Sequence, residues 1–272
     1  MKTKKVAIII LATNNYFPLG IKLIHRMNYF YKGDADLTFH FVSDIDPQNY
    51  LNTDNVIFHD KKADNWNKST VLKLDACKEI AINYDYDYIG CLDADSNIFR
   101  NFTDEEMFSD TFVVEHRVNR DGDNAEHYEK NINSSAYVAP ENYQKIYYQT
   151  CYFGGSKEKM IEMVDSALKL REIDQANGII AKWTDEAYLQ IYLMKNTPTK
   201  IFNPHNQDDF PIFIDDKGNG RDSFITGKIY RPFEDFSKNE YDNMLFEISS
   251  LKNKKILWNI TNNKIIIEKQ LN

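Results

Sequence analysis

The sequence predicts an α/β protein with a Rossmann-like nucleotide site, and three observations carry that prediction. Val6-Ala-Ile-Ile-Ile-Leu-Ala12 is a continuous apolar, β-branched run, the pattern of a strand covered on both faces of a parallel sheet. Strand-like and helix-like periodicities then alternate, the order that builds such a sheet through right-handed crossovers. Tyr88-Ile-Gly-Cys-Leu-Asp93-Ala-Asp95 is a short apolar run that ends in two carboxylates, and ligands collect beyond the carboxyl ends of strands in open α/β sheets.

The first strand, over Val6 to Ala12, is followed by a helix over 18–31, with Leu19, Leu23, Ile24, Met27 and Phe30 at helical spacing. Leu37 to Val42 alternates into a second strand that Ser43-Asp-Ile-Asp-Pro47 stops, and Val56-Ile-Phe58 makes a third. A helix over 69–82, with Val71, Leu72, Leu74 and Ile80 apolar, leads to the D-x-D strand. Thr103-Asp-Glu-Glu106 has the form of a capping box, and Phe112-Val-Val114 reads as a strand. A polar, irregular stretch over 115–135 precedes a strand closing on Gly154-Gly155; long loops of this kind are usually functional or disordered. A helix over 157–174 follows, with Asn177 and Gly178 as its stop, and a mostly helical segment over 179–194 is expected. Late strands are expected at Thr199–Phe202 and Phe210–Ile214, and Ile256 to Ile267 offers only short apolar pieces. No repeat or linker divides the 272 residues, so a single domain is expected: 1–100 mainly for nucleotide, 101–210 mainly for acceptor and catalysis, 211–272 divergent.

Composition narrows the class. A net charge of −8 argues against a nucleic-acid partner, which would meet a basic face. No stretch approaches the roughly 18 apolar residues of a membrane span. The N-terminal run is short, and Thr13-Asn-Asn-Tyr16 follows it without a small-residue cleavage site, so it reads as a strand rather than a leader. Three cysteines, Cys77, Cys91 and Cys151, fit reduced structural thiols better than a disulfide framework. No G-x-G-x-x-G follows the first strand, which counts against NAD or FAD.

Asp93 and Asp95 repel unless a cation lies between them, and hard oxygen ligands suit Mg²⁺ or Mn²⁺. Taken alone, the pair is equally a turn with two solvated aspartates.

Several blocks, in order, resemble glycosyltransferase family 6, the retaining α1,3-galactosyl- and N-acetylgalactosaminyltransferases that include the histo-blood-group A and B enzymes. They are Ile10 to Tyr16, Trp66 to Lys73, Asp87 to Asp95, Tyr128-Glu-Lys130 with Ser135 to Pro140, Phe153 to Ser156, Asp174 to Gly178, Trp183 to Glu186 and Pro198 to Lys200. The resemblance covers about residues 6–204. It implies a GT-A fold, a mixed central sheet flanked by helices, and transfer of galactose, N-acetylgalactosamine or another hexose from a UDP-sugar to a glycan hydroxyl, O3 of a galactoside. It also implies Mn²⁺ or Mg²⁺ held by Asp93 and Asp95, with Leu11, Ala12, Thr13, Tyr16, Lys73 and Ala94 around the nucleotide. Lys73 falls where relatives carry an arginine, a change from a bidentate fork to a point charge. Glu186 matches the catalytic carboxylate; Asp185 beside it would orient sugar hydroxyls and Trp183 would face the acceptor. Gln149, Thr150 and Cys151 would select the donor sugar; Cys151 is bulkier than the glycine associated with an N-acetyl group and favours an unsubstituted hexose. Thr184 replaces a His of the blood-group enzymes, His127 stands where they hold Thr, and His116 lacks their following proline, which puts a fucosylated acceptor in doubt. Exposed-surface readings of Lys73 and of Asp185-Glu186, and a plain core role for Tyr16, are the bland alternatives.

Two rival functions remain open. A haloacid-dehalogenase-type phosphatase also places D-x-D after a strand, and Asp215-Asp216 mimics its second acidic pair, although Asn97 stands where it wants Thr or Val. A UDP-sugar- or carbohydrate-binding protein with weak catalysis is the other. The lack of an apolar anchor leads to the expectation of a soluble, cytoplasmic protein of bacterial or viral origin.

Overall fold

The computed structural model describes residues 3–51, 53–63, 66–96, 98, 101–116, 119, 124–202, 256–259 and 264–267. Among them, seven strands form one mixed sheet in the order β3-β2-β1-β4-β6-β5-β7. These are β1 Lys5–Leu11, β2 Asp36–Ser43, β3 Val56–Asp60, β4 Tyr88–Asp93, β5 Thr111–Glu115, β6 Tyr148–Ser156 and β7 Lys200–Phe202. β3, β2, β1 and β4 run parallel, β6 runs antiparallel to both β4 and β5, and β7 runs parallel to β5.

The continuous apolar run of β1 is explained by its two covered faces. Val6, Ile8 and Ile10 pack with helix α1 (Phe17–Phe30), while Ala7 and Ile9 face the cluster that includes Leu74, Cys77 and Ile80 of α2 (Trp66–Asn83). All five are fully buried, and each buried Val or Ile is worth about 1.5–3 kcal/mol. Gly20 lets α1 sit on the end of β1, since a Cβ there would lie 2.6 Å from that of Ala12 and 2.7 Å from the ring of Phe41. Gly154 does the same between strands, where a Cβ would meet the Ile89 carbonyl at 2.1 Å.

The short α3, Asp104–Met107, carries the expected capping box, with the Thr103 N–H donating to Glu106 Oε2 at 2.9 Å. Helix α4, Lys157–Ala176, ends at Asn177 with Gly178 at φ +68°, as the Asn-Gly stop predicts. It is tied to α2 by Arg171, whose guanidinium donates to both oxygens of Asp75 at 2.7 and 3.0 Å.

One expectation is corrected. The helix expected over 179–194 is only α5, Asp185–Lys195; turns precede it because Gly178 and then Thr184, at φ +44°, break the helical backbone. The apolar pieces near the C-terminus form an antiparallel pair, β8 Ile256–Asn259 with β9 Lys264–Ile267. The strand expected at Phe210–Ile214 lies outside the described residues.

Candidate active site

Strand order reverses between β1 and β4, since the chain moves outward to β2 and β3 on one side and to β6 on the other. Such a switch point leaves a crevice at the carboxyl ends of the two strands. Leu11 of β1 pairs with Asp93 of β4 there, so two blocks far apart in the chain meet at the same rim.

The β1 side of the rim is held firmly. The Ala12 N–H donates to the Val42 carbonyl at 2.9 Å, the Ser43 hydroxyl donates to the Ala12 carbonyl at 2.7 Å, and the Asn14 N–H, at φ +52°, donates to Asp44 Oδ1 at 2.8 Å. Ala12 and Thr13 are buried, whereas Leu11 and Tyr16 are half-buried. Tyr16 packs partly on the apolar cluster, between the core and nucleotide readings of it.

On the β4 side, Asp93 is partly exposed and Asp95 is buried, with Ala94 packed into the core between them. The Ser96 N–H donates to the Asp93 carbonyl at 3.0 Å and turns the chain back. The donor set fits a hard divalent cation, which is bound through one or two carboxylates plus substrate phosphates. Asp93 Oδ1 is paired with Lys73, but a carboxylate accepts at two oxygens, so this pairing and metal ligation are compatible.

Lys73 is the joint of the site. It is 7% exposed, so it does not lie on a solvated helix face. Its Nζ lies 2.8 Å from Asp93 Oδ1 and 3.2 Å from Asp185 Oδ2, and it donates to the Thr150 carbonyl at 3.0 Å. Burial by itself pushes the ammonium pKa down; the carboxylates of Asp185 and Asp93 outweigh it and hold the group well above the ordinary lysine range. One cation thus binds the D-x-D strand, the middle of β6 and the start of α5.

Asp185 and Glu186 open α5. Asp185 is buried and accepts from Thr150 Oγ1 and from Thr184 Oγ1, each at 3.1 Å. Glu186 is half-buried, and its Oε2 accepts from the Thr150 N–H at 3.2 Å. The exposed-turn reading of the pair does not hold. Thr184 adopts φ +44° and ψ −110°, a conformation that costs a non-glycine residue about 1–3 kcal/mol and gathers at functional sites. Gln149, Thr150 and Cys151 are all buried in β6, with Cys151 packed in the cluster that holds Ala12, Leu92 and Ala94.

His116 and His127 come from the connection between β5 and β6, and Trp183 from the turns before α5. The rings of His116 and His127 lie 4.4 Å apart, and His127 stacks on Trp183 at 5.5 Å and 15°. Tyr147 packs beside both histidines; burial and then the charge of Glu186 hold its phenol well above the ordinary range, and its Oη has no hydrogen-bond partner of good geometry among the described residues. All the expected catalytic and sugar-site residues therefore lie in or beside one network. Contacts that the sequence did not predict hold it: Thr150 links both carboxylates, and fully buried Asp174 accepts from Ser134 Oγ and the Ser135 N–H at 2.5 Å and from Tyr188 Oη at 3.1 Å. The signal for Asp174 was its place at the head of the block Asp174 to Gly178.

A sequence profile described as Glycosyltransferase family 6 matches residues 7–214. The chain belongs to glycosyltransferase family 6. Its relatives include the rat histo-blood group ABO system transferase 2, 33% identical over 130 residues, or 46% of this chain and 37% of the relative. A chicken globoside alpha-1,3-N-acetylgalactosaminyltransferase 1 is 29% identical over 152 residues, or 54% and 44% of the two chains. The human globoside alpha-1,3-N-acetylgalactosaminyltransferase 1 is 31% identical over 119 residues, or 43% and 34%. The matched region spans less than half the length of these curated relatives. The mixed seven-stranded sheet flanked by helices is the GT-A arrangement expected of a family 6 chain. No described helix is long and apolar enough to cross a membrane.

Proposed function

We propose that the chain is a retaining hexosyltransferase that moves galactose or N-acetylgalactosamine from a UDP-sugar to O3 of a galactoside in a glycan acceptor. The observation that carries this reading is the buried Lys73 bridge, which sets the D-x-D strand against Asp185 and so against Glu186. In this reading the bridge supports a diphosphate end and a sugar end that adjoin in one donor site.

In this reading Leu11, Ala12, Thr13 and Tyr16 receive the uridine, and Asp93 and Asp95 hold a divalent ion with the diphosphate. That ion, Mn²⁺ or Mg²⁺, supplies charge stabilisation to the leaving group. Lys73 adds a fixed positive charge at the same rim. Retention of configuration requires a carboxylate facing the anomeric carbon, as nucleophile or as partner of an oxocarbenium-like charge, and Glu186 is the carboxylate in place. Asp185, anchored by Lys73 and two threonine hydroxyls, orients the sugar and keeps α5 in register. Cys151 crowds the donor side and favours galactose over its N-acetylated form. Trp183, His127 and His116 form the acceptor wall; Thr13 and Gln149 complete the donor walls.

The test is a UDP-sugar panel with Mn²⁺, read as UDP release with and without lactose and 2′-fucosyllactose. UDP release that rises with lactose supports the reading. Liberation of inorganic phosphate instead would identify a phosphatase, and binding without release a carbohydrate-binding protein. EDTA should abolish turnover, and Asp95→Ala should weaken calorimetric UDP–Mn²⁺ affinity by about 100-fold, equivalent to about 2.7 kcal/mol. Unchanged affinity would remove Asp95 from the metal.

A further inference from the structure

Among the described residues, a second set of metal-ligating side chains converges away from the D-x-D. His116, just past β5, His127, just past the 3-10 turn Asn124–Glu126, and Glu186, in the first turn of α5, each offer a donor atom, and the three atoms lie within 4.8 Å of one another. Two imidazole nitrogens and a carboxylate oxygen form a borderline donor set, unlike the all-oxygen set of Asp93 and Asp95. Such a set suits Zn²⁺, which takes three protein ligands and leaves a fourth position open.

The geometry is close to what this ion needs. With bonds of about 2.0–2.1 Å, tetrahedral ligands stand about 3.4 Å apart, so the donors must close by about 1.4 Å or less, which small rotations of the side chains supply. The rings are already gathered by stacking: His127 lies flat on Trp183, and Tyr147 packs on both imidazoles. The His116 N–H donates to the Tyr147 carbonyl at 2.8 Å, which fixes that ligand's backbone to the start of β6. Glu129 does the same for the His127 segment, since its buried carboxylate accepts from the Lys182 N–H at 2.6 Å, next to Trp183.

We propose that His116, His127 and Glu186 form a second cation site, selective for a Zn²⁺-class ion, and that filling it withdraws Glu186 from the donor sugar and inhibits transfer. The inhibitory half rests on the role given to Glu186 under Proposed function; the binding half rests on the three side chains alone.

The test separates them. Co²⁺ titrated into the intact, nucleotide-free protein should give the intense visible bands of a four-coordinate ion, and Zn²⁺ should displace it. In calorimetry, Zn²⁺ affinity should fall at least about 30-fold in both His116→Ala and His127→Ala, each checked for the native circular-dichroism spectrum. His127→Gln serves where the alanine variant does not fold. No four-coordinate Co²⁺ spectrum in the wild type, or equal Zn²⁺ affinity in wild type and His variants, would overturn the site, the second result assigning the ion to Asp93 and Asp95. In the Mn²⁺-supported reaction, Zn²⁺ should inhibit wild type at lower concentration than His127→Ala, each relative to its own rate; equal fractional inhibition would overturn the inhibitory half. Zn²⁺ bound through the histidines in a chain that releases no UDP from any sugar would keep the site and overturn the transferase reading.

Discussion

From β1 to β4 the sheet is held by apolar side chains packed on both faces, whereas the long connection between β5 and β6 is held by buried polar anchors. In the first region Val6, Ile8, Ile10, Phe39 and Phe41 share one cluster, and removal of water from apolar surface is the dominant force. In the second, Glu129 and Asp174 accept from backbone and hydroxyl groups, and Asn119 exchanges hydrogen bonds with the Tyr147 backbone at 2.9 and 3.0 Å. Apolar packing tolerates volume-conserving change, but a buried polar group that loses its partner costs its full desolvation. The difference teaches where a single substitution would cost this chain most. Under the proposed function the apolar half would receive the nucleotide and the polar half would border the sugars, and Lys73 fastens the D-x-D strand to Asp185 at the start of α5.

Breaking the catalytic end of that joint should have the largest effect. Glu186→Gln keeps the shape and the contact with the Thr150 N–H but removes the charge, and turnover should fall by about 10³-fold while UDP–Mn²⁺ affinity stays within a factor of about two. Undiminished turnover would take Glu186 out of the mechanism. Breaking the fastening comes next: Lys73→Met leaves Asp185 buried beside Asp93 without its cation, and urea denaturation should show a loss of about 3–5 kcal/mol. Adding Asp185→Asn should restore part of it, and strict additivity of the two changes would mean that they do not interact.

Asp174→Ala tests the polar half by itself. It leaves Ser134 Oγ, the Ser135 N–H and Tyr188 Oη without their acceptor, for a loss of about 2–3 kcal/mol. The acceptor KM should rise while UDP affinity holds; an equal fall in both would show that the halves are not separable.

The smallest effect belongs to the apolar half. Burial, and then the charge of neighbouring His59, pull the pKa of His40 down to about 3, against an ordinary 6.5. The unfolded chain therefore takes up a proton that the fold refuses. This contribution to stability is fully present above about pH 6.5 and is lost as pH falls toward 3, by at most about 1.4 kcal/mol for each pH unit. Denaturation midpoints at pH 6.5 and 5.5 should differ in wild type and differ less in His40→Gln, without converging, because burial also lowers the pKa of His59 and His25; an unchanged difference would place the pH dependence elsewhere.

The sheet halves also differ in how far they could be read in advance. Apolar runs, alternation and helical spacing located β1, α1, β2, β3, α2 and β4 because each of these signals is local to its own segment. The same local rules misread 179–184 as helix, because the positive φ of Thr184 is imposed by its surroundings and leaves no mark in composition.

By itself the sequence determined the alternating α/β order, the strand ending in Asp93 and Asp95, and the motif blocks of family 6, all of which depend on residues near one another in the chain. Only the tertiary structure decided that Lys73 is buried between Asp93 and Asp185, that Thr150 serves both Asp185 and Glu186, and that His116 and His127 close on Glu186. These are contacts between distant segments. A lysine in a helix is as readily solvated as buried; it becomes a structural cation where strand order brings two carboxylates to it and excludes the water that would otherwise screen them.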